Sequence, residues 1–455
     1  MRPGLERKRR SMLDHPARFV VLAFVVAIAL GTALLLLPWS MADGRDTDLL
    51  TALFTSTSAV CVTGLSVVDL STQWSGFGQA VLLVLAQLGG LGFMTMASLI
   101  AMLVSHRLGL RMTLAATAER RTLNLGDVRR VLGGVVVITL VMEVAVALVL
   151  IGRFRFGHDY PWDDALWHGV FHSVSAFNNA GLSLYPNSLN AFADDWVIIG
   201  SIMASVVVGG LGFPVLVDLF QRRHHRRRIW RHLTLHSRLT LTATAVLFLA
   251  GFVMITAFEW GNPATLGHRP TGEKLWMGTF GSVSARTAGF HTFSPGGMTD
   301  EGLLSTMTLM FIGAGSAGTS GGIKVATAAV LAMVVFAELR GDTEVEGFGR
   351  RIPAGVQRQA ITVVLLAGAV LAVTTAVMLS VTQFPLRDAA FEAASAFGTT
   401  GLTTGLTPAL PGSGQLTLIV VMLIGRLGPV TLGTALVLRF RSARIRLPEE
   451  APLIG

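Results

Sequence analysis

Long apolar stretches alternate with short polar segments along the chain, and eight of these stretches are long enough to cross a lipid bilayer. A transmembrane α-helix needs about 20 consecutive, mostly apolar residues. The predicted spans are Ala17–Leu37, Gln79–Val104, Val128–Ile151, Trp196–Phe220, Arg238–Phe258, Leu303–Leu339, Val356–Val381 and Leu416–Arg439. The pattern therefore predicts an all-α integral membrane protein that crosses the bilayer an even number of times.

Between the members of each successive pair of spans lies a shorter apolar or small-residue segment, too short for the ~20 residues of a full crossing. These segments are Asp48–Ser58, Trp162–Phe177, Glu273–Ala285 and Leu386–Phe397. Irregular backbone at membrane depth is tolerated where it is buried in protein or lines a water-filled cavity. We therefore predict four re-entrant half-helices, each followed by a pore loop. A plain bundle of twelve helices is the alternative.

Each predicted half-helix leads into a segment with the same pattern, in which a phenylalanine is followed by a Ser-Ala pair and then a glycine. The four segments are FTSTSAVCVTGL, FHSVSAFNNAGL, FGSVSARTAGF and FEAASAFGTTGLTTG, starting at residues 54, 171, 280 and 391. Their glycines are Gly64, Gly181, Gly289 and Gly401, and the third segment has one residue fewer before its glycine. A unit that recurs after about 110 residues indicates an internal repeat.

The complete prediction is four span–pore-loop–span repeats around one pseudo-four-fold pore, with eight full spans and four re-entrant half-helices. After a basic N-terminus at 1–16, the repeats cover 17–110, 111–228, 229–345 and 346–455, the last with a short cytoplasmic tail.

Composition and charge agree with this topology. Hydrophobic residues make up 52% of the chain and charged residues 14%, which excludes an ordinary soluble domain. Most of the 36 basic residues lie in five clusters, whereas the loops between the clusters are mainly acidic. The clusters are Arg2–Arg18, Arg107–Arg130, Arg222–Arg238, Arg340–Arg358 and Arg439–Arg446. By the positive-inside rule, both termini and these loops should be cytoplasmic, so the net charge of +9 does not indicate nucleic-acid binding.

Two further sequence features limit the alternatives. The single cysteine, Cys61, excludes an intrachain disulfide framework and a multi-cysteine metal site. The first apolar run follows a basic segment, so a cleaved signal peptide is an alternative to a first span, although no A-x-A-like cleavage site follows the run.

The glycine-containing tripeptides suggest a cation-binding site. They are Val62-Thr63-Gly64, Asn179-Ala180-Gly181, Thr287-Ala288-Gly289 and Thr399-Thr400-Gly401. A cation that crosses a bilayer must exchange its water shell for other oxygens, and rings of backbone carbonyls can supply them. Glycine adopts the unusual dihedral angles that this needs, and half-helix C-termini directed at the axis favour a cation. Ordinary glycine-ended helix caps are the alternative, but four in equivalent places argue against it.

A second glycine-rich stretch, FIGAGSAGTSGGIKV at residues 311–325, interrupts the predicted span Leu303–Leu339. It contains Gly313, Gly315, Gly318, Gly321 and Gly322, together with Ser316, Thr319 and Ser320. Each glycine disfavours a helix by about 1 kcal/mol relative to alanine. A phosphate-binding P-loop is excluded, because Ile323 precedes Lys324 and Val325 stands where Ser or Thr is needed. We predict an unwound gate within residues 313–323, with a merely kinked helix as the alternative.

Ionisable residues inside predicted spans are functional candidates by default. Arg426 and Lys324 are candidates for the gate, and a side chain that reaches the cytoplasmic interface is the alternative for Lys324. For Glu143 we expect structural pairing with a polar neighbour. Arg286 and Glu392 are predicted to form a buried pair that supports the filter.

The half-helix histidine His172 is expected to be a packed neutral side chain rather than a metal ligand. A membrane zinc protease would need H-E-x-x-H, which the sequence lacks, so no enzyme activity is predicted.

The four-fold plan and the segments CVTGL, FNNAGL, RTAGF and FGTTGL resemble the Trk/Ktr/HKT superfamily of potassium transporters over nearly the whole chain. Because the first repeat begins by Ala17, the chain is most similar to a Ktr-type membrane subunit. The resemblance implies potassium uptake through one pore per polypeptide in a homodimer in the cell membrane. It also implies that the four glycines line a potassium-selective filter, that K⁺ binds the filter carbonyls, and that Arg426 lies near the gating loop.

The same resemblance implies a separate cytosolic ring of nucleotide-binding regulatory subunits that docks on the basic loops. It leaves sodium dependence open and implies no organic cofactor in this chain. A sodium/potassium secondary carrier with alternating access is the alternative function.

Overall fold

The computed structural model describes residues 16–42, 45–113, 125–222 and 229–438, almost all of them in helices. Much of the basic sequence lies outside these ranges, at 1–15, 114–124, 223–228 and 439–455. The predicted cytoplasmic location of both termini and the predicted regulator docking on basic loops therefore concern, in large part, residues outside the described ranges.

The described residues form sixteen α-helices and one two-stranded antiparallel sheet. The first eight helices are α1 (Pro16–Leu35), α2 (Leu49–Val60), α3 (Leu70–Gln73), α4 (Gly76–Thr113), α5 (Leu125–Gly157), α6 (Trp162–Phe177), α7 (Trp196–Leu211) and α8 (Phe213–Gln221). The others are α9 (Ile229–His232), α10 (Leu235–Glu259), α11 (Thr271–Ser284), α12 (Asp300–Phe311), α13 (Val325–Arg340), α14 (Ala354–Val381), α15 (Leu386–Gly398) and α16 (Gly412–Leu438). Strands β1 (Glu346–Gly347) and β2 (Arg350–Arg351) form a small hairpin between α13 and α14.

The four short helices α2, α6, α11 and α15 coincide with the predicted half-helices to within two residues at each end. Proline precedes the first residue of α6, α11 and α15, and the Asp48 side chain caps α2 by accepting a hydrogen bond from the Thr51 amide. Proline stops a helix from extending backwards, and a capping carboxylate satisfies a free amide in the first turn. These starts are local signals, which is why the sequence located them well.

The helices pack in a cyclic order. The short helices α6, α11, α15 and α2 each contact the second long helix of the preceding repeat, which is α4, α7, α12 and α16 respectively. The last of these contacts joins the fourth repeat to the first. The four repeats therefore contact one another in a closed cycle through their short helices.

Four helical segments in the described residues are long and apolar enough to cross a membrane: Gly76–Thr95, Leu132–Gly157, Leu235–Glu259 and Ala354–Val381. A fifth is obtained if the bent pair of α7 and α8 counts as one span. Apolar segments Val20–Leu35 and Gly412–Gly428 are shorter within the described residues. The count of eight spans remains a prediction.

One prediction about the spans is wrong. The sequence predicted one continuous span at Trp196–Phe220, but α7 and α8 of the second repeat, which cover this segment, meet at an angle of 95°. Gly212 lies at the bend with a φ of +89°, and Pro214 follows in the first turn of α8. A Cβ atom at Gly212 would overlap the carbonyl oxygen of Ser316, so the bend accommodates the glycine-rich stretch of the third repeat.

Candidate ion pathway and gate

The four segments that follow the short helices share one backbone conformation. In each, the residue two positions before the glycine has a left-handed φ, and so does the glycine. The φ values are 57° and 86° for Val62 and Gly64, 58° and 63° for Asn179 and Gly181, 76° and 77° for Thr287 and Gly289, and 49° and 90° for Thr399 and Gly401. A left-handed conformation is unfavourable for a residue with a side chain and persists where surrounding structure holds it, often at functional sites.

The four glycines face one another in a ring. A Cβ atom added to Gly64, Gly181, Gly289 or Gly401 would overlap a carbonyl oxygen of the neighbouring repeat. Those oxygens belong, in the same order, to Ala180, Ala288, Thr400 and Thr63. The carbonyl groups that precede the glycines are therefore brought together around one point, with no space for side chains between neighbouring segments.

Backbone hydrogen bonds attach each segment to its own short helix. The amides of Thr63, Ala180 and Thr400 donate to the serine carbonyl five residues earlier, over 2.8, 2.8 and 2.9 Å. In the third segment, which is one residue shorter, the Ala288 amide donates to the Ser284 carbonyl four residues earlier, over 2.9 Å. The helix therefore fixes the residue before each glycine in the same way, despite the deletion.

The glycine-rich stretch of the third repeat is not helical. It connects α12 to α13 and pairs with the bend in the second repeat: the Gly315 amide donates to the Gly210 carbonyl over 2.8 Å, and the Phe213 amide donates to the Ala317 carbonyl over 3.2 Å. On another side, a Cβ atom at Gly321 would overlap the Thr399 hydroxyl. The stretch therefore lies between the bend in the second repeat and the glycine segment of the fourth. A merely kinked helix is excluded.

Two cations hold this loop by its carbonyl oxygens. Arg426 donates to the Thr319 carbonyl and, over 3.1 Å, to the Gly89 carbonyl of the first repeat. Lys324 donates to the Ser320 carbonyl. Both side chains are buried, so the alternative in which Lys324 extends to the aqueous interface is wrong.

The chain is similar to known proteins in sequence and in fold. The family model described as TrkH, cation transport protein, matches residues 6–445. The chain belongs to the TrkH family. The prediction that it is a cation transporter and not an enzyme is confirmed, as is the resemblance to the Trk and Ktr proteins.

Three curated relatives of this TrkH-family chain align over nearly its whole length. The Ktr system potassium uptake protein B of Bacillus subtilis (strain 168) is 37% identical, with 97% of each chain covered. The protein of the same name from Vibrio alginolyticus is 36% identical over 98% of this chain and 97% of its own. The potassium/sodium uptake protein NtpJ of Enterococcus hirae is 35% identical over 99% of this chain and 98% of its own.

The fold of the TrkH-family chain is also similar to a solved structure, the potassium transporter TrkH from Vibrio parahaemolyticus. The TM-score is 0.72 at 19% sequence identity, and the match covers 96% of this chain and 86% of the other. The chain is therefore a multi-pass helical membrane transporter with the TrkH fold.

The predicted ion pair between Arg286 and Glu392 is wrong. Arg286 donates to the carbonyls of Thr244, over 3.3 Å, and Gly313, over 3.1 Å, and its guanidinium stacks on the Phe248 ring. Glu392 accepts hydrogen bonds from the hydroxyls of Thr403 and Thr407 and from the Thr404 amide. Arg286 thus connects the third glycine segment to the start of the glycine-rich loop, whereas Glu392 holds the residues that follow the fourth.

Sequence reasoning missed the role of the serine in the repeated Ser-Ala pair. The Ser175 hydroxyl donates to the Leu182 carbonyl over 2.8 Å, and the Ser284 hydroxyl donates to the Phe290 carbonyl. The Ser395 hydroxyl accepts a hydrogen bond from the Gly401 amide over 3.1 Å. In these three repeats, the serine therefore binds the glycine or the residue after it.

A second repeated motif was also missed. LGGLGF at 88–93, VGGLGF at 208–213 and IGRLGP at 424–429 occupy equivalent places on α4, at the junction of α7 and α8, and on α16. Cβ atoms at Gly89, Gly209 and Gly425 would overlap the carbonyls of Val60, Phe177 and Phe397, each near the end of a short helix. Comparing the four repeats after their glycine segments would have found this signal.

The remaining candidates have structural partners. The Glu143 carboxylate accepts hydrogen bonds over 3.2 Å from Gln87 and from Asn178, so the expected pairing is present. His172 is buried, with Nδ1 2.8 Å from the His168 carbonyl oxygen and Nε2 accepting from the Leu184 amide. No group of three or more potential metal ligands occurs among the described residues.

Asp195 organises the start of α7, outside the membrane-spanning segments. Its carboxylate accepts hydrogen bonds from the Val197 and Ile198 amides and lies 2.6 Å from Arg153 Nε and 2.8 Å from His158 Nε2. Burial raises the pKa of this carboxyl, but the hydrogen bonds from His158, Arg153 and the two backbone amides together lower it more, so the pKa is below its usual 3.8. The ionised carboxylate therefore fixes the helix start at neutral pH.

Proposed function

We propose that the chain mediates potassium-selective uptake through a membrane pore with a filter of backbone carbonyl groups. The observation that carries this proposal is the closed ring of Gly64, Gly181, Gly289 and Gly401, in which each glycine abuts a carbonyl of the neighbouring repeat. Backbone carbonyls can replace the hydration shell of K⁺, and dehydrated potassium is what a selective pore must pass. The C-terminal ends of four short helices add negative dipole potential at the same place.

Potassium as the transported ion is supported by the names of the relatives, two of which are potassium uptake proteins. The name of a third includes sodium, so sodium is included as a second transported or activating ion.

The loop at residues 313–323 is proposed to be the gate. It lies against the fourth glycine segment and is held by Arg426 and Lys324, both of them buried. A loop without helical hydrogen bonds can rearrange more readily than the helices on either side of it. We assign opening and closing to this loop and the restraint on it to the two cations.

The transporter is further proposed to function as a homodimer with a pore in each subunit and to bind a separate cytosolic ring of nucleotide-binding regulatory subunits. The resemblance to Ktr proteins supports both assignments. The clusters of basic residues support the docking surface, because they should face the cytoplasm.

Ion uptake in a host that lacks its own potassium transporters tests the filter. Expression of the chain should restore potassium uptake, measured with and without sodium and with and without a Ktr-type regulatory subunit. Gly401→Ser should weaken the preference for potassium over sodium, because a side chain at this position would displace the Thr63 carbonyl. The matched control is Gly368→Ser, since Gly368 lies on α14 with nothing within 4 Å of an added Cβ atom. If the ratio of potassium to sodium uptake were the same in Gly401→Ser as in Gly368→Ser, the proposed filter would be refuted.

A secondary carrier with alternating access is favoured by one observation. Broken helices are typical of such carriers, and the structure has one at Gly212 in the second repeat besides the unwound stretch in the third. A carrier exchanges labelled ion across the membrane faster than it transports net ion. A pore gives net flux down a gradient once an ionophore compensates the charge, and it needs no transported ion on the other side of the membrane. Exchange of labelled rubidium in liposomes that requires a counter-ion would support the carrier.

A further inference from the structure

Phe93 lies where three of the four repeats meet. It belongs to α4 of the first repeat, is buried, and is part of one apolar cluster with Ala317 of the glycine-rich loop and Leu427 of α16. The centroid of its ring is 4.6 Å from Arg426 Cζ and 5.3 Å from Lys324 Nζ. One aromatic ring therefore contacts both of the cations that hold the loop.

In the part of the chain that the structure describes, no carboxylate neutralises these two cations. Within the described ranges, no aspartate or glutamate lies within ion-pair distance of Arg426 or Lys324. Both groups lie within 5.3 Å of the same ring centroid, so two positively charged side chains are held near each other, where like charges repel. The Phe93 ring offers its electron-rich face, which attracts cations most strongly where water is excluded. It is thus an attractive partner that both cations share.

The hydrogen bonds of the two cations show what this ring holds in place. Arg426 and Lys324 bind the carbonyls of Thr319 and Ser320, two successive residues of the loop. The second nitrogen of Arg426 binds Gly89, which lies one turn before Phe93 on the same helix. Loss of attraction at the ring would leave the repulsion between the cations to act on the Thr319–Ser320 segment.

We infer that Phe93 is a positioning residue of the gate: by cation–π contact with Arg426 and Lys324 together, it latches the loop in the conformation described here. This inference rests on the proposed function, because it assigns a latch to the proposed gate. It also gives Lys324 a role that the sequence left open.

The test replaces Phe93 in the full-length chain with phenylalanine analogues that carry one, two or three fluorine atoms. Fluorine withdraws electron density from the ring face and weakens cation–π attraction stepwise, with little change in ring size. Potassium flux is measured in liposomes without a regulatory subunit. We expect flux to rise with each fluorine, reaching about tenfold for the trifluoro ring. A merely structural ring would not give this graded response.

The same analogues at Phe24 provide the control. Phe24 is buried in the same apolar cluster, on α1, and no cation–π contact to it occurs among the described residues. Flux that is unchanged, or that falls with fluorination at Phe93, would overturn the latch, as would an equal rise at Phe24. The unmodified protein is also measured with a Ktr-type regulatory subunit present. Failure to conduct potassium under those conditions would overturn the proposed function together with the latch, whereas conduction there with a flat fluorination series would overturn the latch alone.

Discussion

Replacement of Gly89 by alanine should distort the proposed filter, although Gly89 lies outside it. Gly89 is on α4, and a Cβ atom there would overlap the carbonyl oxygen of Val60, the last residue of α2. Gly92 is on the same helix, three residues further, and nothing lies within 4 Å of its added Cβ atom. The two variants therefore add the same methyl group, Gly89→Ala against the backbone of α2 and Gly92→Ala into open space.

The expected magnitudes follow from two opposing effects. Alanine stabilises a helix interior by about 1 kcal/mol relative to glycine, so Gly92→Ala should raise the free energy of unfolding by up to that amount. An extra methyl group in a packed site typically costs about 1–3 kcal/mol. Gly89→Ala should therefore be less stable than Gly92→Ala by about 1–3 kcal/mol. Movement of Val60 would also shift Val62, Thr63 and Gly64.

Thermal unfolding in detergent and relative uptake of potassium and sodium measure the two consequences. Gly89→Ala should have a lower Tm than Gly92→Ala and a weaker preference for potassium. If the two variants unfold at the same temperature and discriminate the two ions equally well, the prediction that the contact of Gly89 with Val60 supports the proposed filter is wrong.

Two further predictions concern Arg286 and Asp195. Arg286→Gln should raise potassium efflux from liposomes by removing the charged donor to the Gly313 carbonyl, with Arg286→Lys intermediate; efflux equal to that of the unaltered protein would contradict this. Asp195→Asn should lower the Tm at neutral pH, by an amount that corresponds to about 2 kcal/mol, because it weakens bonds to a charged group. Since the pKa of Asp195 is lowered on folding, its stabilisation is present above the usual 3.8 and is lost as the pH falls through the folded value. The Tm difference between variant and wild type should accordingly shrink only in acid, and a difference that disappears already near pH 6 would refute the assignment.

Local signals made the short helices and the glycine segments predictable. Each short helix begins at a signal made of a few adjacent residues, which is a proline before α6, α11 and α15 and the Asp48 cap before α2. The four-fold recurrence of Ser-Ala and glycine identified which residues the structure would bring together. The glycine-rich loop was predictable for the same reason, because its composition is incompatible with a helix.

Features that depend on contacts between distant segments were not predictable. The left-handed conformation of Val62 has no local signal, since a β-branched residue disfavours it. The pairing of Arg286 with Glu392 was wrong because adjacency of repeats does not fix which groups face each other. The bend at Gly212 was missed because VVGGLGFPV reads as one apolar run, and the carbonyl of Ser316, which leaves no space for a side chain at Gly212, comes from another repeat.

The contacts of the glycine-rich loop explain how one asymmetric element can act on a nearly symmetric ring. The loop belongs to the third repeat, but its partners are Gly89 and Phe93 of the first through Arg426, Gly210 and Phe213 of the second, and Thr399 of the fourth. Any rearrangement of the loop must therefore change contacts with every other repeat. Because Gly321 abuts Thr399 of the fourth glycine segment, opening of the proposed gate would also alter what supports the proposed filter. We therefore expect variants that loosen the loop to change the preference for potassium over sodium as well as the flux. The change in preference should be larger for variants near Gly321, which contacts the fourth glycine segment.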